Sequence, residues 1–168
     1  TRQQVPASLK IGEDMLYRIV VVNTGTATIT ELMVTDTVSS VIANATTDQD
    51  SLFPPPVVTD AGTGTRYEWA TTGLVMYPGT AYTFTIAGTA GLVCGPTQVD
   101  ATAYVTAGGG CTTTGMFTNR TGWVLNPSAP ALTVVLDQNP PSPGIGESVV
   151  YRIVVTNTGA TTVDDLTL

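Results

Sequence analysis

The strongest constraint in this sequence is a segment that occurs twice. Residues 11–34 align with residues 145–168 without a gap, and thirteen of the 24 aligned positions are identical. Chance does not produce such a match, so the chain contains the beginning of one structural module two times. Each copy must bury the same face, and the pattern that both copies keep therefore indicates where the module packs.

The repeated segment alternates as a strand does, with successive side chains on opposite faces. One face is apolar in both copies: Met15, Tyr17, Ile19 and Val21 in the first, and Val149, Tyr151, Ile153 and Val155 in the second. The other face carries Arg18 and Arg152, so we expect it to be partly in water. Asn-Thr-Gly follows each strand and predicts a turn. A second strand is predicted at residues 29–35, and its counterpart begins at Thr162.

The composition favours strands over helices. Hydrophobic residues make up 42% of the chain and charged residues 11%, a balance typical of a folded protein. Thr and Val are abundant, whereas good helix formers are scarce. Further strand-length segments lie between turn signals at residues 57–59, 65–70, 74–77, 81–87, 99–106, 123–125 and 131–137. We therefore predict an all-β fold, an immunoglobulin-like β-sandwich.

The motifs and their order resemble the Ig-like conserved-repeat family of bacterial and archaeal surface proteins, known as domain-of-unknown-function eleven. The matching positions are Gly12-Glu13, residues 17–25, Thr35-Asp36, Trp69, Pro78-Gly79 and residues 101–103. The second copy matches from Gly146 to Leu168, whereas residues 98–100 and 108–114 depart from the family pattern. The resemblance implies a surface-exposed tandem repeat and implies no known reaction.

The repeat divides the chain into a sandwich at residues 1–128 and the opening strands of a second, incomplete repeat at residues 129–168. The strand at residues 131–137 has its counterpart at or before residue 1, so the first copy is predicted to lack an opening strand. A few strands cannot bury both faces of a sandwich. Either the chain is a segment of a longer tandem protein, or its last strands fill the sheet of a neighbouring subunit. The candidate inter-subunit residues are Leu132, Val134, Leu136, Tyr151, Ile153, Val155, Leu166 and Leu168.

Charge and residue types exclude several classes of function. A net charge of −7 repels phosphate backbones, so we expect no nucleic-acid partner. The sequence has no apolar run long enough to cross a bilayer, so this segment is not expected to span a membrane. It has no His and offers no nucleophile with a partnered base, and we predict that it is not an enzyme. Low charge and high Thr content are typical of an extracellular, cell-surface protein.

Two kinds of covalent modification are predicted. Cys94 and Cys111 are expected to form a disulfide in an oxidising compartment. If the glycines at 108–110 do not fold back, the cysteines bond between subunits instead. Asn44 and Asn119 begin N-glycosylation sequons, and the alternative is that both lie in unmodified surface loops.

No cofactor is expected, and the signals for bound ligands are weak. Asp48, Asp50 and Asp60 offer oxygens for Ca²⁺, but their spacing fits no calcium loop, and solvated carboxylates are the alternative. Asp164 and Asp165 have the same two interpretations. An aromatic set either stacks on sugars or fills the core; it consists of Trp69, Tyr67, Tyr77 and Trp123. An isopeptide bond from Lys10 is disfavoured as a repeat feature, because the second copy has Gly144 there.

Three functions remain open on the sequence alone. The first is a structural repeat of a surface fibre, stalk, sheath or filament, with neighbouring repeats or subunits as its partners. The second is a glycan-binding or adhesive module of a large surface protein. The third is a spacer beside a catalytic domain.

Overall fold

The computed structural model describes residues 1–109, 112–128, 131–159 and 161–168. The regular elements of these residues are all strands, which confirms the all-β prediction. The chain divides into two compact units, Thr1–Pro127 and Ser128–Leu168. Each unit is described below by itself.

The first unit is a sandwich of antiparallel sheets. Its strands are β1 (Arg2–Val5), β2 (Asp14–Val22), β3 (Ile29–Ser39), β4 (Ile42–Gln49), β5 (Val57–Asp60), β6 (Gly64–Met76), β7 (Ala81–Ala90), β8 (Thr97–Ala101), β9 (Ala103–Gly109), β10 (Thr112–Phe117) and β11 (Thr121–Leu125). One sheet has the order β1-β2-β7-β4, and the other has the order β10-β9-β3-β6-β5. The strands β8 and β11 form a separate two-stranded ribbon.

The core lies between the two sheets and is built from alternate residues of each strand. The predicted inward face of β2 is confirmed, since Tyr17 and Ile19 are fully buried. Arg18, between them, is exposed. Rings from both sheets meet in the middle, where the Trp69 and Phe84 centroids lie 5.3 Å apart. Burying such large apolar side chains is the main term that stabilises the unit.

The prediction that the first copy lacks an opening strand is wrong. The strand β1 pairs with β2, with Arg2 opposite Ile19 and Val5 opposite Leu16. Its sequence, Arg-Gln-Gln-Val, shows no apolar alternation, because its inward residue Arg2 is charged and finds a buried partner. The pattern on which the prediction relied is therefore absent from this strand.

The second unit repeats the first two strands of the first. Its strands are β12 (Leu132–Asn139) and β13 (Val150–Asn157), which pair with Leu136 opposite Ile153 and Asn139 opposite Val150. This is the register of β1 on β2, residue for residue. The connecting turns also agree: Gln4 Nε2 donates to the carbonyl of Pro6 at 3.0 Å, and Gln138 Nε2 donates to that of Pro140 at 3.2 Å.

The two copies differ in what covers them. Tyr17 and Ile19 are 0% exposed, whereas their counterparts Tyr151 and Ile153 are 62% and 52% exposed. A two-stranded hairpin has no second sheet of its own to cover its apolar face. The strand predicted to begin at Thr162 is not formed. Its counterpart β3 pairs with β6 and β9, and the described residues of the second unit include no counterpart of those strands.

The same substitution at equivalent positions of the two copies tests this difference in burial. We expect Ile19→Ala to lower the free energy of unfolding by about 2–5 kcal/mol, because it opens a cavity in a packed core. The same change at Ile153 should alter it by no more than about 0.5 kcal/mol. Denaturant unfolding followed by circular dichroism measures both variants. Equal losses would show that the face of the second hairpin is buried in the protein as it exists in solution.

Candidate assembly surface and buried ion pair

The second hairpin presents an apolar surface, which we call the hairpin face. It consists of the residues on one side of β12 and β13: Leu132, Val134, Leu136, Tyr151, Ile153 and Val155. Val134 pairs with Val155 and Leu136 with Ile153, so the side chains adjoin across the strands. The first five are between 44% and 62% exposed, and Val155 is partly buried. The structure thus brings together six of the eight predicted inter-subunit residues.

The other two predicted residues lie apart from this surface. Leu166 and Leu168 are 52% and 81% exposed and belong to no strand. Contiguous exposed apolar surface of the kind on the hairpin face marks an interaction site in soluble proteins. In the first unit the equivalent residues of β2 pack against the opposite sheet. The arrangement can therefore bind an apolar sheet surface.

A second feature, which sequence analysis missed, is a buried ion pair in the first unit. Arg2 Nε lies 3.0 Å from Asp36 Oδ2, and both side chains are 0% exposed. The guanidinium carbon of Arg2 lies 3.7 Å from the centre of the Tyr17 ring, close enough for a cation–π contact. Arg2 Nη1 also donates to the hydroxyl of Thr121. One side chain of β1 therefore bonds to β3 and β11 and stacks on β2.

The backbone of Arg2 is bound as well. Its N–H donates to Asn119 Oδ1 at 2.9 Å, and Asn119 Nδ2 donates to its carbonyl at 2.8 Å. The Asn119 amide thus takes the place of a neighbouring strand. We call Arg2, Asp36, Asn119 and Thr121 the clasp, since together they join the opening strand to β3 and to the start of β11.

The electrostatics of the clasp follow from burial. Desolvation raises the pKa of Asp36 above its ordinary 3.8, and the positive charge of Arg2 opposes that shift. Burial also raises the pKa of Tyr17 to about 12, so its hydroxyl is neutral at physiological pH. A sequence signal existed, because the second copy has Leu136 where the first has Arg2. A charged residue at an inward, otherwise apolar position calls for an opposite charge.

The two predicted glycosylation sites differ in structure. Asn44 is exposed in β4, with a φ of 52°, at an irregularity between Ala43 and Thr46. The Asn119 amide is engaged with the Arg2 backbone, and attachment would have to take place on an occupied Nδ2. The geometry therefore favours Asn44 of the two, and glycosylation of either residue stays a prediction.

The predicted disulfide stays a prediction, since Cys111 lies outside the described residues. Cys94 is exposed and is a free cysteine.

The carboxylates proposed for Ca²⁺ serve local turns. Asp50 Oδ1 accepts from the N–H of Leu52 at 3.1 Å, and Asp60 Oδ1 accepts from that of Gly62 at 2.7 Å. Asp48 accepts from the adjacent N–H of Gln49. Within the described part of the chain, no three His, Cys, Asp or Glu side chains cluster as a metal site would. Calcium binding remains an untested prediction.

Of the two interpretations of the aromatic set, the structure supports the core and not a sugar platform, because most of the rings are buried. Trp69 is 0% exposed, Tyr67 is 5% exposed and Trp123 is 7% exposed, so only Tyr77, at 63%, offers its ring to solvent. Alternation along β6 turns Tyr67 and Trp69 inward together. Lys10 is exposed, and its backbone N–H bonds to Glu13 in the turn before β2.

The clasp generates a prediction about stability. Arg2→Leu installs the residue of the second copy and should lower the free energy of unfolding by about 3–5 kcal/mol, since it leaves Asp36 buried without a counter-charge. The double variant Arg2→Leu with Asp36→Leu should recover most of that loss. Urea unfolding followed by Trp fluorescence measures both, because both tryptophans lie in the first unit. A double variant as unstable as the single one would contradict the ion-pair interpretation.

The same variant should respond to pH. In Arg2→Leu only desolvation acts strongly on Asp36, so the pKa in the folded state lies above that in the unfolded state. A group of this kind opposes folding once the pH rises through its folded pKa. The free energy of unfolding of Arg2→Leu should therefore be only slightly below that of the unmodified chain near pH 3, about where Asp36 is protonated in the folded and the unfolded state. The difference should grow towards neutral pH. Unfolding curves across this range check the sign, and a deficit independent of pH would exclude the carboxylate as its cause.

No family model matches this chain, and no curated protein matches its sequence. The resemblance to the conserved-repeat family therefore stays a prediction. The part of the chain that the structure describes includes no helix with the length and apolar character needed to span a membrane.

Several solved structures share the fold. BcpA, the major pilin subunit of Bacillus cereus, is similar with a TM-score of 0.57 and 11% identity, over 98% of this chain and 63% of that one. A chain named BspA_C_WT gives 0.56 and 14%, over 87% and 54%. The Corynebacterium diphtheriae major pilin SpaA gives 0.54 and 11%, over 79% and 39%. The chain thus spans 39–63% of these structures, and at such identities the likeness shows a shared immunoglobulin-like sandwich fold.

Proposed function

We propose that this chain is a non-catalytic structural repeat of an extracellular surface fibre, stalk, sheath or filament. One observation carries the proposal: the same hairpin occurs twice, buried under a second sheet in one copy and uncovered in the other. Tyr17 and Tyr151 occupy equivalent positions and differ in exposure from 0% to 62%. The apolar residues of β2 recur in β13, where they are exposed. Such a surface is suited to packing against another repeat or subunit.

The first unit indicates what kind of surface would pack on the hairpin face. There the counterpart of the hairpin face lies under a sheet that includes Val34 and Trp69, both 0% exposed. Burying each large apolar side chain of the hairpin face contributes about 1.5–3 kcal/mol. Several such side chains together offset the freedom that two molecules lose when they associate. A neighbouring repeat or subunit that completes the sheets, head to tail, would therefore form a stable junction.

The clasp is placed where it would resist tension along a fibre. Tension along a tandem fibre enters each repeat through its first and last strands. Arg2 in β1 bonds directly to Asn119 and Thr121 at the start of β11. Part of the force therefore passes through contacts between these strands rather than through the whole sandwich. Burial excludes water, which makes the ion pair and its hydrogen bonds harder to replace during extension.

Names of similar structures agree with this proposal. BcpA is a major pilin subunit, and SpaA is a major pilin whose structure points to a modular pilus assembly. We infer an extracellular location and self-association from that likeness together with the hairpin face. Completion of sheets between subunits by strand addition is the specific mechanism that we propose.

Self-association of this chain tests the proposal. Sedimentation velocity over a range of concentrations should show reversible association through the hairpin face. Ile153→Asp should abolish it, because a charge on that face cannot be buried without a partner. The matched control is Val150→Asp, also on β13 and 64% exposed but on the opposite side of the hairpin, which should associate as the unmodified chain does.

Two outcomes would contradict the proposal. One is a chain that remains monomeric at all concentrations while its second hairpin is folded. The other is association that both Asp variants weaken equally, which would indicate general apolar aggregation. Electron microscopy of native material should in addition show this repeat within a polymer.

A further inference from the structure

The strand β10 forms an open edge of the five-stranded sheet in the first unit. It pairs with β9, with Thr113 opposite Gly108 and Phe117 opposite Tyr104, and no other described strand pairs with it. Residues 113–116 are all exposed. Such an edge presents a row of unpaired backbone groups to which another strand can bond.

The alternation of hydrogen bonds determines which residues of β10 face the open edge. The N–H of Thr118, directly after β10, donates to the Ala103 carbonyl of β9 at 2.8 Å. Alternate residues of an antiparallel strand bond to opposite sides. The even-numbered residues of β10 therefore bond towards β9. The odd-numbered residues direct their N–H and carbonyl groups to the open edge, and these are Thr113, Gly115 and Phe117.

The other edge strands of the two large sheets are protected against such pairing. The strands β1 and β5 have four residues each, and the backbone of Arg2 in β1 is already bound. The strand β4 has an irregularity between Ala43 and Thr46 and carries Asp48, whereas β5 follows three prolines and ends at Asp60. Short strands, irregularities, prolines and charges are the means by which proteins prevent edge pairing. The strand β10 has six residues in regular register and contains no charged residue and no proline.

We propose that β10 pairs antiparallel with β10 of a second copy of this chain, as a side-by-side contact that is separate from the hairpin face and goes beyond the proposed function. The occupant is argued from charge. The chain has a net charge of −7, and self-pairing of β4 or β5 would bring Asp48 or Asp60 close to its own copy. Like charges on paired strands are destabilising, whereas two uncharged β10 strands meet without this repulsion. A strand that pairs with itself in this way forms a closed, two-fold symmetric contact.

The register follows from a two-fold axis at Gly115. Gly115 then pairs with Gly115 of the second copy, and Thr113 pairs with Phe117, so that all edge-facing backbone groups are bonded. Thr114 lies opposite Met116 of the second copy. The side chain of Met116 is 63% exposed, and its burial adds an apolar contribution to the pairing. The contact is small, so two isolated copies pair weakly, whereas many such contacts act together between two aligned fibres.

The experiment uses the Ile153→Asp chain, in which the hairpin face cannot associate. Amide hydrogen exchange is measured by NMR at low and at high protein concentration. The N–H of Gly115 should exchange roughly tenfold or more slowly at high concentration, because in a single copy it faces the open edge. The N–H of Met116 faces β9, so it should be protected equally at both concentrations and thereby report that β10 is folded.

Two further variants of the Ile153→Asp chain test the role of the backbone. Thr113→Pro removes an N–H that faces the open edge and leaves the hydrogen bonds to β9 in place. It should abolish the concentration dependence at Gly115 while Met116 stays protected. Thr113→Val keeps both the N–H and a branched side chain, so it should retain the concentration dependence. Gly115 itself is unsuited to substitution, because a Cβ there would clash with the Tyr104 side chain.

Exchange at Gly115 that does not change with concentration, while Met116 is protected, would overturn the proposal. Concentration-dependent protection of Gly115 that persists in Thr113→Pro would overturn it as well, since a contact other than strand pairing would then be responsible. The hairpin face is blocked in all of these chains. Failure here therefore leaves association through Ile153 to be judged separately.

Discussion

Every part of this structure depends on covering the apolar side of a sheet. A β-sheet with one apolar face is stable only when another layer lies on it. In the first unit the layer formed by β3, β6 and β9 covers Tyr17 and Ile19. The described residues of the second unit form the same hairpin with the same register and include no such layer. A single requirement thus gives both a closed sandwich and a surface suited to assembly.

The clasp adds a specific polar interaction to this burial, and that interaction determines which residues lie opposite each other. Apolar packing alone would accept Leu at the position of Arg2, as the second copy has. A buried ion pair gains little net stability, because both groups must lose water. Arg2 Nη2 and Asp36 Oδ1 make no hydrogen bond to other described residues, which adds to that cost. The pair does, however, fix which strand lies beside β2 and which residue faces Asp36, since a slip by one residue would bury a charge unpaired.

Much of the fold could be predicted from the sequence, because period-two alternation and turn residues carry local information. The inward face of β2 followed from the alternation around Tyr17 and Ile19, and the second copy of the hairpin followed from the repeat. The strand β1 could not be found in this way, since Arg2 contributes through a partner 34 residues away rather than through apolar character. The role of Asn119 could not be predicted from the sequence for a similar reason. Its sequon suggested a glycan, whereas tertiary contacts make its amide a backbone partner.

The proposed function sets a condition on the segment that connects consecutive repeats, since a fibre transmits tension through that segment. The strand β11 ends at Leu125, and β12 begins at Leu132, so few residues separate the last strand of one repeat from the first strand of the next. The chain is a strand again from Leu132, where it pairs with β13. Residues held by such pairing keep little of the conformational freedom of a loop. Stiffness along a fibre would thus come from the same apolar burial that folds each repeat.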